Sequence, residues 1–296
     1  MTTFDDYIEA TALYLSGFTT NQDQVTSLVA GIDAVATSLT LADTSQLGSQ
    51  GLLEIDSELL WFSAVDTGTN VVTIAPFGRG YRGTTAAVHA TGAKVTLSPV
   101  VPRAMIERAV NDSIRATWPN LFGVSTTEFV YTAAVDTYAL PVGAQGVLAV
   151  TWDTVGSSEE WLPVRRWTAD VNASTTDFAS GRSISLFDPI TPGRTVRVVY
   201  THAPVALTSG DDFSDSGLRD SAQDLIQFAA AARLVPWFEV AQTPGVSAEA
   251  NYAAGLGRQS SASALGRYLT QMYQLRQAEE QSALQSLYPI RSHYTR

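Results

Sequence analysis

The sequence contains no cysteine, which excludes structural disulfides and thiolate-held metal centres. Lysine is almost missing too: Lys and Arg together number 18, and Lys94 is the sole lysine. No apolar run approaches the roughly eighteen residues that a membrane-spanning helix requires. Met1 to Gly17 has neither the basic start nor the small-residue cleavage site of a secretory leader. These absences predict a soluble chain that is made and kept in the cytoplasm, with no membrane partner. Basic residues are also absent from the first 78 positions, which carry Asp5, Asp6, Glu9, Asp23, Asp33, Asp43, Glu54, Asp56, Glu58 and Asp66. From Arg258 onward the balance reverses, with Arg258, Arg267, Arg276, Arg291 and Arg296 against Glu279 and Glu280. A chain with one acidic and one basic end is suited to ordered contacts between unlike surfaces.

What is present is a globular composition. The 296 residues are 45% hydrophobic and 16% charged, with a net charge of -11, enough for two or three modest domains with real cores. Phe4, Tyr7, Ile8, Thr11, Ala12 and Leu15 recur at helical spacing, and Asp5 and Asp6 suit the positive end of a helix dipole, so residues 1–21 are read as an N-terminal helix. Over 22–98 the period becomes two. Ser38–Leu41, Gly51–Ile55, Leu59–Val65, Val71–Ile74 and Lys94–Leu97 read as strands of a small antiparallel barrel or sandwich, with Thr67 to Asn70 as a hairpin loop. Pro102 marks the start of a central helix (99–124) with Met105, Ile106, Ala109, Val110, Ser113, Ile114 and Thr117 on one face, ended by Trp118-Pro119.

A second β-domain is expected over 125–205. Its strands are read at Phe129–Thr132, Thr137–Leu140, Gly146–Trp152, Trp161–Val164, Ser183–Phe187 and Thr195–Tyr200. C-terminal helices follow over 206–286. Leu218, Ala222, Leu225, Ile226, Ala229 and Ala232 form a stripe expected to stop before Pro236. After a looser stretch, Leu265, Tyr268, Leu269, Met272, Leu275 and Ala278 mark a long last helix. Residues 287–296 form an aromatic, basic tail that cannot remain helical beyond Pro289. The fold class is therefore α+β: a small helical bundle of N-terminal, central and C-terminal helices carrying two antiparallel β barrel or sandwich domains.

The segment from Pro76 to Val95 organises this reading. Gly78, Gly80 and Gly83 spell G-x-G-x-x-G after a strand, yet a dinucleotide-binding fingerprint opens a long helix and meets an acidic residue about 20 positions on. Here strand character resumes at Lys94, and residues 98–103 hold no Asp or Glu, so the glycines read instead as a tight crossover. Together with Gly51-Leu52-Leu53-Glu54-Ile55-Asp56-Ser57-Glu58-Leu59, the run Arg79 to Val95 (Arg-Gly-x-x-Gly-Thr-x-Ala-x-x-His-x-x-Gly-Ala-x-Val) resembles a β-domain that recurs in neck and tail proteins of tailed bacteriophages. The whole order of elements is similar to that of head-to-tail adaptors, or connectors, of siphophages.

That resemblance implies a structural virion protein of the neck, made in the host cytoplasm. Copies would assemble as a dodecameric ring bound below the portal protein, and a stopper or tail protein would follow. Double-stranded DNA would pass through without sequence-specific binding, which an acidic lining favours by repelling phosphates. By position and character the tail would dock on the portal through Leu287, Tyr288, Ile290, Arg291, Tyr294 and Arg296. The same β-domain leaves a tail-tip or baseplate component as an alternative. The aromatic residues Tyr131, Tyr138, Trp152, Trp161, Trp167, Phe187 and Tyr200 raise a host-surface carbohydrate binder as another, although a β core is the commoner use of such residues.

No chemistry is legible. His89, His202 and His293 lie in different regions without ligand-like neighbours, and no G-x-S-x-G elbow is present. Asp211, Asp212 and Asp215 lack the spacing of a calcium loop and suit a helix start instead. Glu159-Glu160 beside Trp161 reads as a solvated turn, although a paired-carboxylate glycan hydrolase would use such residues. Dispersed arginines in an acidic chain argue against nucleic-acid recognition. The expectation is no enzyme, no cofactor and no metal.

Overall fold

The computed structural model describes residues 3–16, 23–154, 160–242 and 261–289, with backbone alone at 236–242 and 261–264. The chain divides into two units, one holding Phe4–Asp112 and Ile226–Met272, the other Met1–Thr3, Ser113–Leu225 and Tyr273–Arg296. Among the described residues, antiparallel sheets and four α-helices make a mixed α and β protein.

The first unit begins with α1 (Phe4–Ser16), which buries Phe4, Tyr7, Ile8, Thr11 and Leu15. This is the face that the helical spacing predicts, and Asp6, Glu9, Ala10 and Leu13 are left outward. Six strands follow: β1 (Gln24–Ser27), β2 (Ser38–Thr40), β3 (Gly51–Ile55), β4 (Glu58–Asp66), β5 (Val71–Ile74) and β6 (Lys94–Leu97). They form one sheet in the order β1-β6-β3-β4-β5-β2, with every pair antiparallel. The sheet curls until its edges meet: Leu28 bridges Leu41, with Val29 N–H donating to Thr40 O and Ala42 N–H to Ser27 O, both at 2.9 Å. Meeting edges leave no long row of free backbone groups. Inside lie Leu28, Leu39, Leu41, Leu53, Ile55, Leu60, Phe62, Val72, Ile74, Val95 and Leu97. The expected hairpin joins β4 to β5, with Asn70 at φ 56, where asparagine is well tolerated. β1 escaped the sequence reading because Gln24-Val25-Thr26-Ser27 buries nothing fully.

α2 (Arg103–Ala116) starts just after Pro102, whose carbonyl accepts from Met105 and Ile106 N–H. In the first unit Tyr14 of α1 meets Phe228 edge-on at 6.1 Å between ring centroids. Phe228 lies on α3 (Gln223–Gln242), where Leu225, Ile226, Ala230, Ala231, Leu234 and Val235 are buried. The expectation that this helix stops before Pro236 is corrected, since the backbone remains helical to Gln242. A proline inside a helix removes one hydrogen bond at a cost of about 3 kcal/mol, which the burial of several apolar side chains on the same helix exceeds. The last helix, α4 (Ser261–Leu287), ends two residues before Pro289.

The second unit contains a two-layer sandwich. One sheet orders β10 (Trp161–Pro163), β9 (Ala144–Asp153), β13 (Thr195–His202) and β7 (Gly123–Val130); the other orders β11 (Trp167–Asp170), β12 (Ser183–Leu186) and β8 (Thr137–Ala139). Val150, Val196 and Val198 from the first meet Ile184 and Leu186 from the second, with Leu140, Ala144, Val164 and Ile190 completing the core. Of the aromatic residues expected to fill it, Tyr131, Tyr138, Trp152, Trp167 and Tyr200 pack against this core as partly buried neighbours. Phe187 does not. Alternation along β12 turns Ile184 and Leu186 inward, and Phe187, one residue on, is exposed.

Candidate assembly site

The phage-like motif resolves into a buried polar clasp. Glu58 opens β4 with its side chain 1% exposed, against Arg79 at 11%. The Arg79 guanidinium grips the carboxylate with Nε at 2.7 Å and the second terminal nitrogen at 2.9 Å. Gly80 N–H and Ala87 N–H donate to the same carboxylate at 2.9 Å each. His89, 2% exposed, places Nε2 at 2.9 Å from Glu58 and Nδ1 at 2.8 Å from Asp56. Arg79 also donates to the carbonyls of Asp33 and Ala87, so a single guanidinium ties its own β5–β6 connection to the β1–β2 loop and to the head of β4. Thr84 completes the motif: its Oγ1 accepts from Leu59 N–H at 3.0 Å.

The glycines of the apparent nucleotide fingerprint belong to this clasp. A Cβ on Gly78 would collide with the backbone carbonyls of Trp61 and Ala75, and Gly80 and Gly83 hold φ of 58 and 87. No long helix follows them directly, only a short turn at Tyr81–Gly83. Asp56 and Glu58 stand in the motif as the sequence shows it, but their pairing with His89 and Arg79 was not legible there. The usable signal was a single acid, Glu58, at the head of an apolar run.

Electrostatics follow from burial and partners. Burial alone would raise the Glu58 carboxyl, but donors from Arg79, Ala87, Gly80 and His89 outweigh it and hold it at about 2. Glu54 behaves in the opposite way. Its burial dominates and pushes the carboxyl to about 7 despite the hydrogen bond from Arg103 N–H at the head of α2. Arg103 itself spans to Asp5 at 2.6 Å and Glu107 at 3.2 Å, and also to Glu9.

In the second unit, Arg276 on α4 holds Asp224 at 2.8 Å and the Ser221 carbonyl at 3.0 Å, and Ser221 donates to the buried Glu280 at 2.9 Å. Arg276 is raised above its ordinary value, chiefly by the bonds to Asp224 and Glu279. Of the residues expected to dock on a portal, Leu287 and Tyr288 lie together with Pro289 at the edge of a cleft of about 510 Å³, shared with Leu148, Val150, Val164 and Trp167. Ile290, Arg291, Tyr294 and Arg296 lie outside the described residues.

The remaining sequence candidates fall where backbone needs them. Asp211 accepts from Thr208 N–H and Oγ1 at 2.7 Å each, and Asp215 accepts from Asp212 N–H at 2.9 Å around a short helical turn, Phe213–Ser216. His202 Nδ1–H donates to Ala203 O at 2.9 Å, with its ring between Gly123 and Gly217. Glu160 is exposed and Glu159 lies outside the described residues. Among the described residues, no group of three or more His, Cys, Asp or Glu could hold a metal ion, and no helix is long and apolar enough to cross a membrane.

The comparison with curated proteins found no match. A family model described as "SU10 adaptor protein" matches residues 92–283, from the last strand of the first sheet through α2, the sandwich, α3 and most of α4. This is a family of phage head-to-tail adaptors, structural proteins rather than a class of enzymes. The match takes in well over half of the chain, and the chain belongs to the SU10 adaptor protein family.

Proposed function

We propose that copies of this chain form a dodecameric ring beneath the portal of a tailed phage, a ring that continues the DNA channel toward the tail. The observation that carries this reading is the adaptor-family match over residues 92–283. In it a bundle formed by α1 to α4 serves as the frame, and the two β-domains, 22–98 and 125–205, extend from it toward neighbours. A ring needs head-to-tail contacts between unlike surfaces. The acidic first 78 residues and the Arg-rich end of the chain supply surfaces of opposite character. DNA passes without being gripped, because acidic side chains repel phosphates.

The tail, 287–296, is the portal anchor in this reading. Leu287, Tyr288, Ile290 and Tyr294 supply apolar area, and Arg291 and Arg296 pair with portal carboxylates. Leu287 is 58% exposed, so its contribution to the fold of the chain alone is small. Deletion of residues 287–296 is expected to leave a folded protein while heads and tails accumulate unjoined. Normal yields of complete particles from that truncation would overturn the anchor.

A further inference from the structure

Where α4 ends, the second unit leaves an apolar cleft on the outward face of its first sheet. Ala149 pairs across with Val199, and Thr151 with Pro163, while Val150 and Val198, one position along their strands, belong to the core. The outward face of an antiparallel sheet is ordinarily polar. Here Ala149 and Pro163 are exposed and Val199 is half-buried. Leu148 is skipped in the register between Val147 and Ala149, a bulge of the kind that re-aims a side chain, and it lines the same cleft with Val164 and Trp167. The volume, about 510 Å³, lies in the range of ligand pockets and has room for two large side chains.

The chain itself supplies an occupant. Leu287, Tyr288 and Pro289 form part of the cleft wall, and residues 290–296 continue from it. Pro289 lies past the end of α4 and bars further helix. In an extended run of Ile290-Arg291-Ser292-His293-Tyr294-Thr295-Arg296, Ile290 and Tyr294 share one face, and Arg291 and His293 take the other. The apolar pair then falls to the cleft and the cations to solvent, away from the exposed Arg165 at the cleft lip. Residues 290–296, when extended, reach about 23 Å, more than the roughly 14 Å across four strands. A tethered segment meets its site at an effective concentration in the millimolar range, so a weak contact suffices. We propose that in the unassembled protein residues 290–296 turn back along this sheet face, with Ile290 and Tyr294 in the cleft. The cleft thereby withholds the tail until a portal competes for it. The contact is independent of the ring, whereas the withholding rests on the proposed portal anchor.

Methyl NMR of the full chain tests the contact. Ile290→Asp with Tyr294→Asp is expected to shift the Leu148, Val164 and Val199 methyl signals to their positions in a chain ending at Pro289, and to leave Leu53 and Val95 in the first sheet unmoved. Cleft signals that stay in place would overturn the contact. The chain has no cysteine, so a nitroxide on Tyr294→Cys marks the tail alone. It is expected to broaden the cleft signals of its own chain, and not those of isotope-labelled chains mixed with spin-labelled, isotope-free ones. Broadening in the mixture would assign the cleft to a neighbour's tail and overturn the proposal. Ala149→Trp, which fills the cleft, is expected to tighten binding of the full chain to purified portal protein at least about threefold, as release of a withheld tail requires. Unchanged affinity would overturn the withholding. If the cleft signals respond but deletion of residues 287–296 leaves portal binding intact, the proposed anchor fails and the cleft contact stands.

Discussion

Arg79→Ala is expected to destabilise the first unit by about 3–5 kcal/mol, the usual cost of removing one partner of a buried ion pair. The substitution removes a two-point grip on Glu58 at 2.7 and 2.9 Å together with donors to the Asp33 and Ala87 carbonyls. It leaves Glu58, 1% exposed, with only neutral backbone donors and His89. The depression of Glu58 from 4.5 to about 2 gives the same scale independently. At about 1.4 kcal/mol per pKa unit, the folded state favours the carboxylate by roughly 3 kcal/mol. Because the folded value is the lower one, this stability is fully present above about pH 4.5 and is lost as pH falls toward 2. Urea denaturation at pH 7 and along an acid series measures both quantities. Arg166→Ala is the control, since it breaks an exposed pair with Asp188 and should cost less than about 1 kcal/mol. A loss below about 1 kcal/mol for Arg79→Ala, or an acid limb between pH 4.5 and 2 identical to that of the unaltered protein, would refute the clasp as an energetic feature.

Two further outcomes follow from the same geometry. Glu54→Gln should stabilise the protein at pH 8 by up to about 3 kcal/mol and have little effect below about pH 4.5, because a carboxyl raised to about 7 when folded favours the fold below its unfolded value and loses that contribution as pH rises through 7; melting curves across this range check it, and a difference independent of pH would contradict it. Gly217→Ala should destabilise the second unit by about 2 kcal/mol or more, because Gly217 holds φ 82 and an added Cβ would run into the His202 ring; a melting temperature unchanged from that of the unaltered protein would be the contrary result.

Much of the fold was legible where local pattern and tertiary need agree. β3, β5 and β6 are found where Gly51–Ile55, Val71–Ile74 and Lys94–Leu97 predict them, because alternation and flanking turn residues act within the segment itself. α2 is likewise found on the spacing of its apolar face. Elements that depend on distant partners were not legible. β1 exists because Gln24–Ser27 pair with Lys94–Leu97, and β11 because Trp167–Asp170 pair with Ser183–Leu186. β7 begins at Gly123 rather than near Phe129 because β13 runs opposite it as far as His202. Pro236 misled because a breaker read locally takes no account of what its helix buries. The motif Arg79 to His89 was visible as a string of residues and resembled the right class of virion protein. Its physical meaning was hidden, since Glu58 meets Arg79, Gly80, Ala87 and His89 only after the strands pair.

A reconstruction of purified virions at a resolution that traces side chains, or antibody-gold labelling against this chain, locates it directly. A closed ring of this chain between portal and tail is expected, with density for the 287–296 tail against the portal. Density or label confined to the distal tip of the tail would contradict it.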